Sequence, residues 1–315
     1  MTNPIATILA RHPLIVLDGA LATELERRGC DLHDRLWSAR VLLEQPDVIR
    51  AVHESYFAAG ADCAITASYQ ASYPGFAARG MDAVAATALL ARSVEIALAT
   101  RDAFWANTAN RTNRPRPFVA ASIGPYGAMR ADGSEYHGNY GVTDEELLAF
   151  HRPRMAALIA AGAELLACET IPSLQEARVL ARLLPEFPQI SAWMSFSCRD
   201  DTHTCHGEPF AECATLLAGH PQIAAVGVNC SAPQYIAGLL RSASDAGHTL
   251  LAYPNSGEHY DATDNTWHDA PATTADYGAA AATWYAAGAR LIGGCCRTTP
   301  DDIAAVAARR VGMTR

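Results

Sequence analysis

Ala160-Ala-Gly-Ala-Glu-Leu-Leu-Ala-Cys-Glu169 joins the end of an alanine-rich helical stretch to a glycine and then to a short apolar run. Glycine in that position reads as the left-handed residue that stops a helix. The run Leu165-Leu-Ala-Cys168 is continuous rather than alternating, the pattern of a strand buried on both faces. The device recurs as Ala58-Ala-Gly-Ala-Asp62 and Ala286-Ala-Gly-Ala-Arg290, and more weakly as Asp245-Ala-Gly-His248. Eight such runs lie near residues 14–18, 63–67, 118–122, 164–168, 191–196, 224–229, 249–254 and 290–294. Helical patterns separate them, for instance over 47–59, 83–104, 144–161 and 233–246. Eight βα units in a chain of 315 residues predict an α/β fold, one (β/α)8 TIM-type barrel domain spanning 1–315. A doubly wound open sheet is the competing arrangement.

The strand-to-helix connections are the long ones: 124–143, 197–209 and 255–272. In a barrel these gather at the C-terminal ends of the strands, where active sites are built. The stretch 107–117 reads as a surface loop. Half of the residues are hydrophobic, enough for a sizeable core, and the net charge of −9 argues against nucleic acid as a partner. All 24 basic residues are arginine. Without a lysine, Schiff-base aldolases, pyridoxal-phosphate enzymes with an internal aldimine and Walker-type phosphate loops are excluded. Nine irregularly spaced cysteines do not form a secreted disulfide framework, and the N-terminus is a poor signal peptide. No run approaches the roughly 18–20 apolar residues that span a bilayer, so the cytosol is the expected compartment and a membrane partner is not expected.

Two apolar runs end in cysteine. Leu291-Ile-Gly-Gly-Cys-Cys-Arg-Thr-Thr-Pro300 carries Cys295 and Cys296, and Ala224-Ala-Val-Gly-Val-Asn-Cys230 carries Cys230. After strands six and eight of a barrel, all three would reach one rim. Three thiolates with an open fourth position describe a catalytic zinc centre that activates a thiol; the plainer reading is small buried hydrophobes. Cys63 and Cys168 fall inside strands and read as core, and Cys30 lies in an early loop. Cys198, His203, Cys205 and His206 match no structural zinc spacing and read as a solvated loop. Asp18 ends strand one and Glu169 ends strand four; each suits either a substrate ammonium or a helix cap or rim salt bridge. Gly19 would allow close approach, Thr66, Ser68 and Gln70 are weaker candidates, and Trp37 is a pocket wall or core.

Together Asp18-Gly-Ala, Thr66-Ala-Ser-Tyr-Gln70, Cys168-Glu-Thr170, Gly227-Val-Asn-Cys230 and Gly293-Gly-Cys-Cys-Arg-Thr-Thr-Pro300 resemble the homocysteine S-methyltransferases along essentially the whole chain. The long loops, with Gly124-Pro-Tyr-Gly127, Ala131-Asp-Gly-Ser-Glu-Tyr136 and Tyr253-Pro-Asn-Ser-Gly-Glu-His-Tyr260, look most like the S-methylmethionine-using branch. The resemblance implies a zinc-bound homocysteine thiolate with Cys230, Cys295 and Cys296 as ligands. It implies that Glu169 and Asp18 hold the substrate amino group, and that backbone groups of Gly19 and Thr66 meet its carboxylate. Gln70 departs from the aromatic of betaine-using relatives, which counts against betaine as donor. The expected reaction is methyl transfer from S-methylmethionine, or S-adenosylmethionine, to L-homocysteine, with Tyr126, Tyr136 or Tyr260 as candidates to steady the cation. The alternatives are a zinc-dependent barrel hydrolase or class II aldolase, and a non-enzymatic zinc- or thiol-binding protein.

Overall fold

The computed structural model describes residues 3–32, 37–130, 132–257, 259–261, 266–268 and 276–313. Its strands are β1 (Ile15–Val16), β2 (Cys63–Ile65), β3 (Phe118–Ile123), β4 (Leu165–Ile171), β5 (Ala192–Phe196), β6 (Ile223–Asn229), β7 (Leu250–Tyr253), a small antiparallel pair β8 (His259–Asp261) and β9 (Thr266–His268), and β10 (Ala289–Ile292). Eight of them make one parallel sheet in the order β1-β10-β7-β6-β5-β4-β3-β2, with helices between, as the sequence predicts for a (β/α)8 barrel. The glycines that announce the strands do cap helices. Gly60, Gly162, Gly247 and Gly288 all take positive φ, a conformation open to glycine at little cost. The helix expected over 233–246 ends early, at Ser242, and a 3-10 turn, Ser244–Ala246, completes the approach to Gly247.

Closure differs from the expectation at one seam. No ladder joins β1 to β2; two aspartates do it instead. Asp62 accepts the Val16 N–H at 2.9 Å through its carboxylate, while its own N–H donates to the Val16 carbonyl at 2.6 Å. Two residues further along, the Asp18 carboxylate accepts the Ile65 N–H at 2.8 Å. A β1 of two residues cannot supply a full ladder, so side-chain oxygens take the amides that would otherwise be buried unpaired. Arg310, near the C-terminus, pairs with the buried Asp62 and compensates its charge.

Side chains alternate along each strand, and the alternation separates two cores. Ile15, Leu17, Cys63, Phe118, Ala120, Leu165, Ala167, Trp193, Ala225, Leu251 and Leu291 fill the barrel interior, with Ile5 and Ile8 of the helix Pro4–Leu9 packed against them. Residues of the other parity, such as Val16, Ala121, Leu166, Cys168, Met194 and Val226, pack under the surrounding helices. Cys63 and Cys168 are thus core residues, one on each side of the sheet.

The helix Ala83–Ala106 is, by length and composition, apolar enough to cross a bilayer, contrary to the expectation that no run approaches that length. Here it lies against the helices Pro46–Ala59 and Asp144–Ala160 and against β3, burying Leu90, Val94 and Ala97. Its Arg101 is buried and paired with Glu164 and Asp102, both at 2.6 Å. Those contacts are the ones a barrel helix makes.

Candidate active site

On the interior parity the apolar residues give way to polar ones toward the C-terminal ends of the strands. Ala120 is followed by Ser122, Ala167 by Glu169, Trp193 by Ser195, Ala225 by Gly227 and Asn229, Leu251 by Tyr253. These side chains form a connected floor. Glu169 is buried; one of its oxygens accepts the Ser122 hydroxyl and the other accepts Tyr253 Oη–H at 3.1 Å. Tyr253 Oη in turn accepts Trp193 Nε1–H at 3.1 Å and lies 2.6 Å from Ser195 Oγ. Because the Tyr253 proton goes to Glu169, Ser195 must be the donor in that pair. Burial pushes the Glu169 carboxyl up to about 7 despite the two hydroxyls.

Asp18 faces the same space. Its Oδ2 holds the Ile65 amide of the seam, while Oδ1 is buried without a partner. Burial first, and Glu169 next among the groups that raise it, hold Asp18 well above the usual carboxylate range. Two buried carboxylates that oppose each other's ionisation call for a cation from outside the protein. Gly19 lies beside them because nothing larger fits: a Cβ there would stand 2.8 Å from the Tyr56 ring and 3.0 Å from Thr298 Oγ1.

Thr66 sits as expected at the rim but is fully engaged. Its N–H donates to the Ala120 carbonyl at 3.0 Å, its Oγ1 accepts the Ser122 N–H at 3.0 Å, and its hydroxyl lies 2.7 Å from Ser68 Oγ, which donates on to the Ser122 carbonyl. The amide that the resemblance assigns to a substrate carboxylate is therefore already bonded, a consequence of β2–β3 pairing running one residue past the strand.

The three cysteines converge. Cys230 follows β6 with φ of +46°, and Cys295 and Cys296 follow β10 in a turn that brings φ of Arg297 to +67°. The turn is held by Cys295 N–H to the Pro254 carbonyl at 2.7 Å, Ser256 N–H to the Cys296 carbonyl at 3.1 Å, and Thr298 Oγ1–H to the Cys295 carbonyl at 2.7 Å. It needs Gly294, where a Cβ would stand 2.3 Å from Thr298 Oγ1. The three Sγ atoms lie within 4.8 Å of one another, a group compact enough to hold one metal ion. In this structure Cys230 and Cys295 are joined as a disulfide, which the sequence did not suggest, and Cys296 Sγ is 3.7 Å from Cys230 Sγ. A disulfide has no thiolate to offer, so the bridged state and a metal-bound state exclude each other. Burial pushes the Cys296 thiol up to about 12; the protein alone keeps it protonated, and a bound cation would reverse that preference.

Asn229, missed from the sequence, links the two halves of the site. Its Oδ1 accepts the Thr170 N–H at 2.7 Å, its Nδ2 donates to Thr170 Oγ1 at 2.8 Å, and the same Nδ2 is 4.0 Å from Cys295 Sγ. Thr170, next to Glu169, has φ of +59°, a conformation that costs a β-branched residue about 1–3 kcal/mol. The amide clamp holds it there. Asn229→Ala should lower unfolding stability by about 2–3 kcal/mol, since it leaves the buried Thr170 N–H unpaired. It should also raise KM for the amino-acid substrate, with partial rescue by Asn229→Asp, which can still accept that N–H. Urea titration and steady-state kinetics check both; an unchanged KM would make the clamp purely structural.

Other candidates fall elsewhere. Cys198 is buried in a short hairpin bridged to Thr204, so the loop is less solvated than expected. His203 pairs with Asp200 and His206 with Glu208, and the cysteine trio at the rim is the metal-competent group found among the described residues. Cys30 is buried, its Sγ 3.0 Å from Gln45 Oε1. The Tyr126 ring packs on Phe150 and Tyr140 at 5.0 and 5.5 Å. The side chains of Trp37 and Tyr260 lie outside the described residues.

A barrel whose rim gathers three cysteine sulfurs beside a buried carboxylate pair defines a class: an enzyme that handles a thiol substrate bearing an ammonium group. The sequence model described as homocysteine S-methyltransferase matches residues 15–310. The chain is 57% identical to homocysteine S-methyltransferase YbgG of Bacillus subtilis (strain 168) over 97% of both chains. It is 52% identical to the homocysteine S-methyltransferase of Escherichia coli (strain K12) over 98% of both. Crystal structures of the homocysteine methyltransferase MmuM from Escherichia coli, in metallated and oxidized forms, each superpose with a TM-score of 0.88 at 48% and 49% identity, covering 98% of this chain and all of that one. The chain belongs to the homocysteine S-methyltransferase family.

Proposed function

We propose that the protein transfers a methyl group from S-methylmethionine to the sulfur of L-homocysteine, and that residues 1–315 act as a single cytoplasmic barrel domain. The observation that carries this reading is the convergence of Cys230, Cys295 and Cys296 on one rim beside Asp18 and Glu169. Reduced, the three cysteines would hold zinc, whose preference for sulfur they suit; when bound, zinc lowers the pKa of an incoming thiol so that it attacks as a thiolate. Asp18 Oδ1 and Glu169 receive the homocysteine ammonium, and Ser122 and Tyr253 keep Glu169 aimed at it. Gly19 lets the substrate approach the β1 turn, and Thr66 forms a rigid wall.

In the reaction the sulfur lone pair forms a bond to the methyl carbon as the carbon–sulfonium bond breaks. Its electron pair goes to the departing sulfur, which leaves as a neutral thioether. No proton has to be delivered to the leaving group. Charge is annihilated in the transition state, so a site that excludes water favours it. With S-methylmethionine both products are methionine.

The test is a donor panel. Reduced, zinc-loaded protein should form methionine from homocysteine with S-methylmethionine, more slowly with S-adenosylmethionine, and with neither after chelation. No methionine from either sulfonium would overturn the reading. A companion result concerns redox state: protein purified without reductant should carry the Cys230–Cys295 bridge and little zinc. Adding reductant together with a zinc salt should restore close to one zinc per chain, whereas the zinc salt alone should not, read by intact mass and metal analysis.

A further inference from the structure

The loop between β3 and the helix Asp144–Ala160 carries a carboxylate with one buried oxygen that no protein group among the described residues satisfies. Glu135 lies in the 3-10 turn Ser134–Tyr136. Its backbone is pressed against Gly127, where a Cβ would stand 2.5 Å from Glu135 N, and its carbonyl lies 3.5 Å from Ser197 Oγ just beyond β5. The turn is thereby seated over the C-terminal end of the barrel. Glu135 Oε2 is buried with no hydrogen-bond partner, and no salt bridge to Glu135 is found among the described residues. Burial raises the carboxyl to about 7 against a hydrogen bond from its own backbone N–H, and the charged neighbour that acts on it, Asp132, is of the same sign and adds to the rise. Glu135 is in turn close enough to Cys296 and to Tyr69 to raise both.

A carboxylate buried without a cation is costly and persists where a ligand supplies one. Gln70 Oε1, in the residue after Tyr69, is a second buried acceptor with no donor. An acceptor lacking a donor fits a group that carries N–H, and a sulfonium centre has no hydrogen to donate. Asp18 and Glu169 already serve one ammonium on the homocysteine side. The sulfur-side orphan therefore fits the ammonium of a second amino acid.

We propose that Glu135 receives the α-ammonium of the methyl donor, so that the site selects sulfonium donors that are themselves amino acids. This assignment rests on the methyl-transfer reading above. Sulfonium donors without an ammonium, such as dimethylsulfonioacetate, lack the group that Glu135 recognises and gain nothing from it.

The experiment compares Glu135→Gln with the parent protein, reduced and zinc-loaded, using both kinds of donor. For S-methylmethionine, kcat/KM at saturating homocysteine should fall about 10–100-fold, the effect of removing one charge-assisted hydrogen bond. KM for homocysteine, zinc content and turnover of dimethylsulfonioacetate should stay where they are. Equal losses with both donors, or a shift confined to KM for homocysteine, would overturn the assignment. If the parent protein turned over no sulfonium at all, the methyl-transfer reading would fail. Calorimetric titration of S-methylmethionine would then decide the Glu135 role by itself: weaker binding to the variant supports it, equal binding refutes it. Should Glu135→Gln not fold, Glu135→Asp carries the same comparison with a smaller loss, because it keeps the charge and withdraws it by one methylene.

Discussion

Cys296→Ala should abolish zinc binding and methyl transfer together. Changes to groups that merely support a metal ligand cost about 10–100-fold in affinity or activity, so deleting a ligand should cost more than about a hundredfold. Cys296 is the informative choice because Cys230 and Cys295 form the bridge and remain able to do so without it. The variant should show the same two-dalton mass change on reduction as the parent, which reports an intact turn. The turn is in any case fastened by main-chain groups, Ser256 N–H to the Cys296 carbonyl and Cys295 N–H to the Pro254 carbonyl, that alanine leaves in place. Metal analysis and methionine formation are the readouts. Full activity in a zinc-free Cys296→Ala protein would refute the thiolate mechanism.

The parts of this molecule legible in the sequence are those where local chemistry and global position coincide. A glycine with positive φ stops a helix wherever it occurs, so Gly60, Gly162 and Gly288 announced strands correctly. Cys230 and the Cys295–Cys296 pair end strands in the same barrel, and topology does the rest. The seam between β1 and β2 was not legible, because Asp62 and Asp18 replace a ladder and no local pattern says so. The floor of the site was missed for a different reason. Ser122, Ser195, Asn229 and Tyr253 are ordinary polar residues in apolar runs, and only the two-residue alternation running from Ala167 to Glu169 puts them on the same interior face. Counting parity from Glu169 outward would have found them. Glu135 carries no such signal, since its burial depends on how the 124–143 loop folds back over β5.

Glu169→Gln should raise KM for homocysteine by about 10–100-fold and reshape the pH profile, with a smaller effect on kcat at saturation. An amide nitrogen cannot accept from the Ser122 or Tyr253 hydroxyl, so the variant both loses the charge and leaves one donor without an acceptor. In the parent, Glu169 is half protonated near pH 7, and only its ionised form attracts an ammonium. Homocysteine kcat/KM should therefore fall about tenfold per pH unit as pH drops below about 7. The stability linkage has the opposite sense. Between the ordinary 4.5 and about 7 the folded protein keeps a proton the unfolded chain has released, so this group's contribution to stability diminishes as pH rises through that window. A bound ammonium offsets that loss, and homocysteine should stabilise the reduced protein more at pH 8 than at pH 5. Asp18 is coupled to the same site, and removing the Glu169 charge relieves part of what raises it. The acid limb that remains in Glu169→Gln should thus move to lower pH rather than vanish. A profile and KM identical to the parent's would show that the ammonium is held elsewhere, and the assignment of Asp18 and Glu169 to substrate would fall with it.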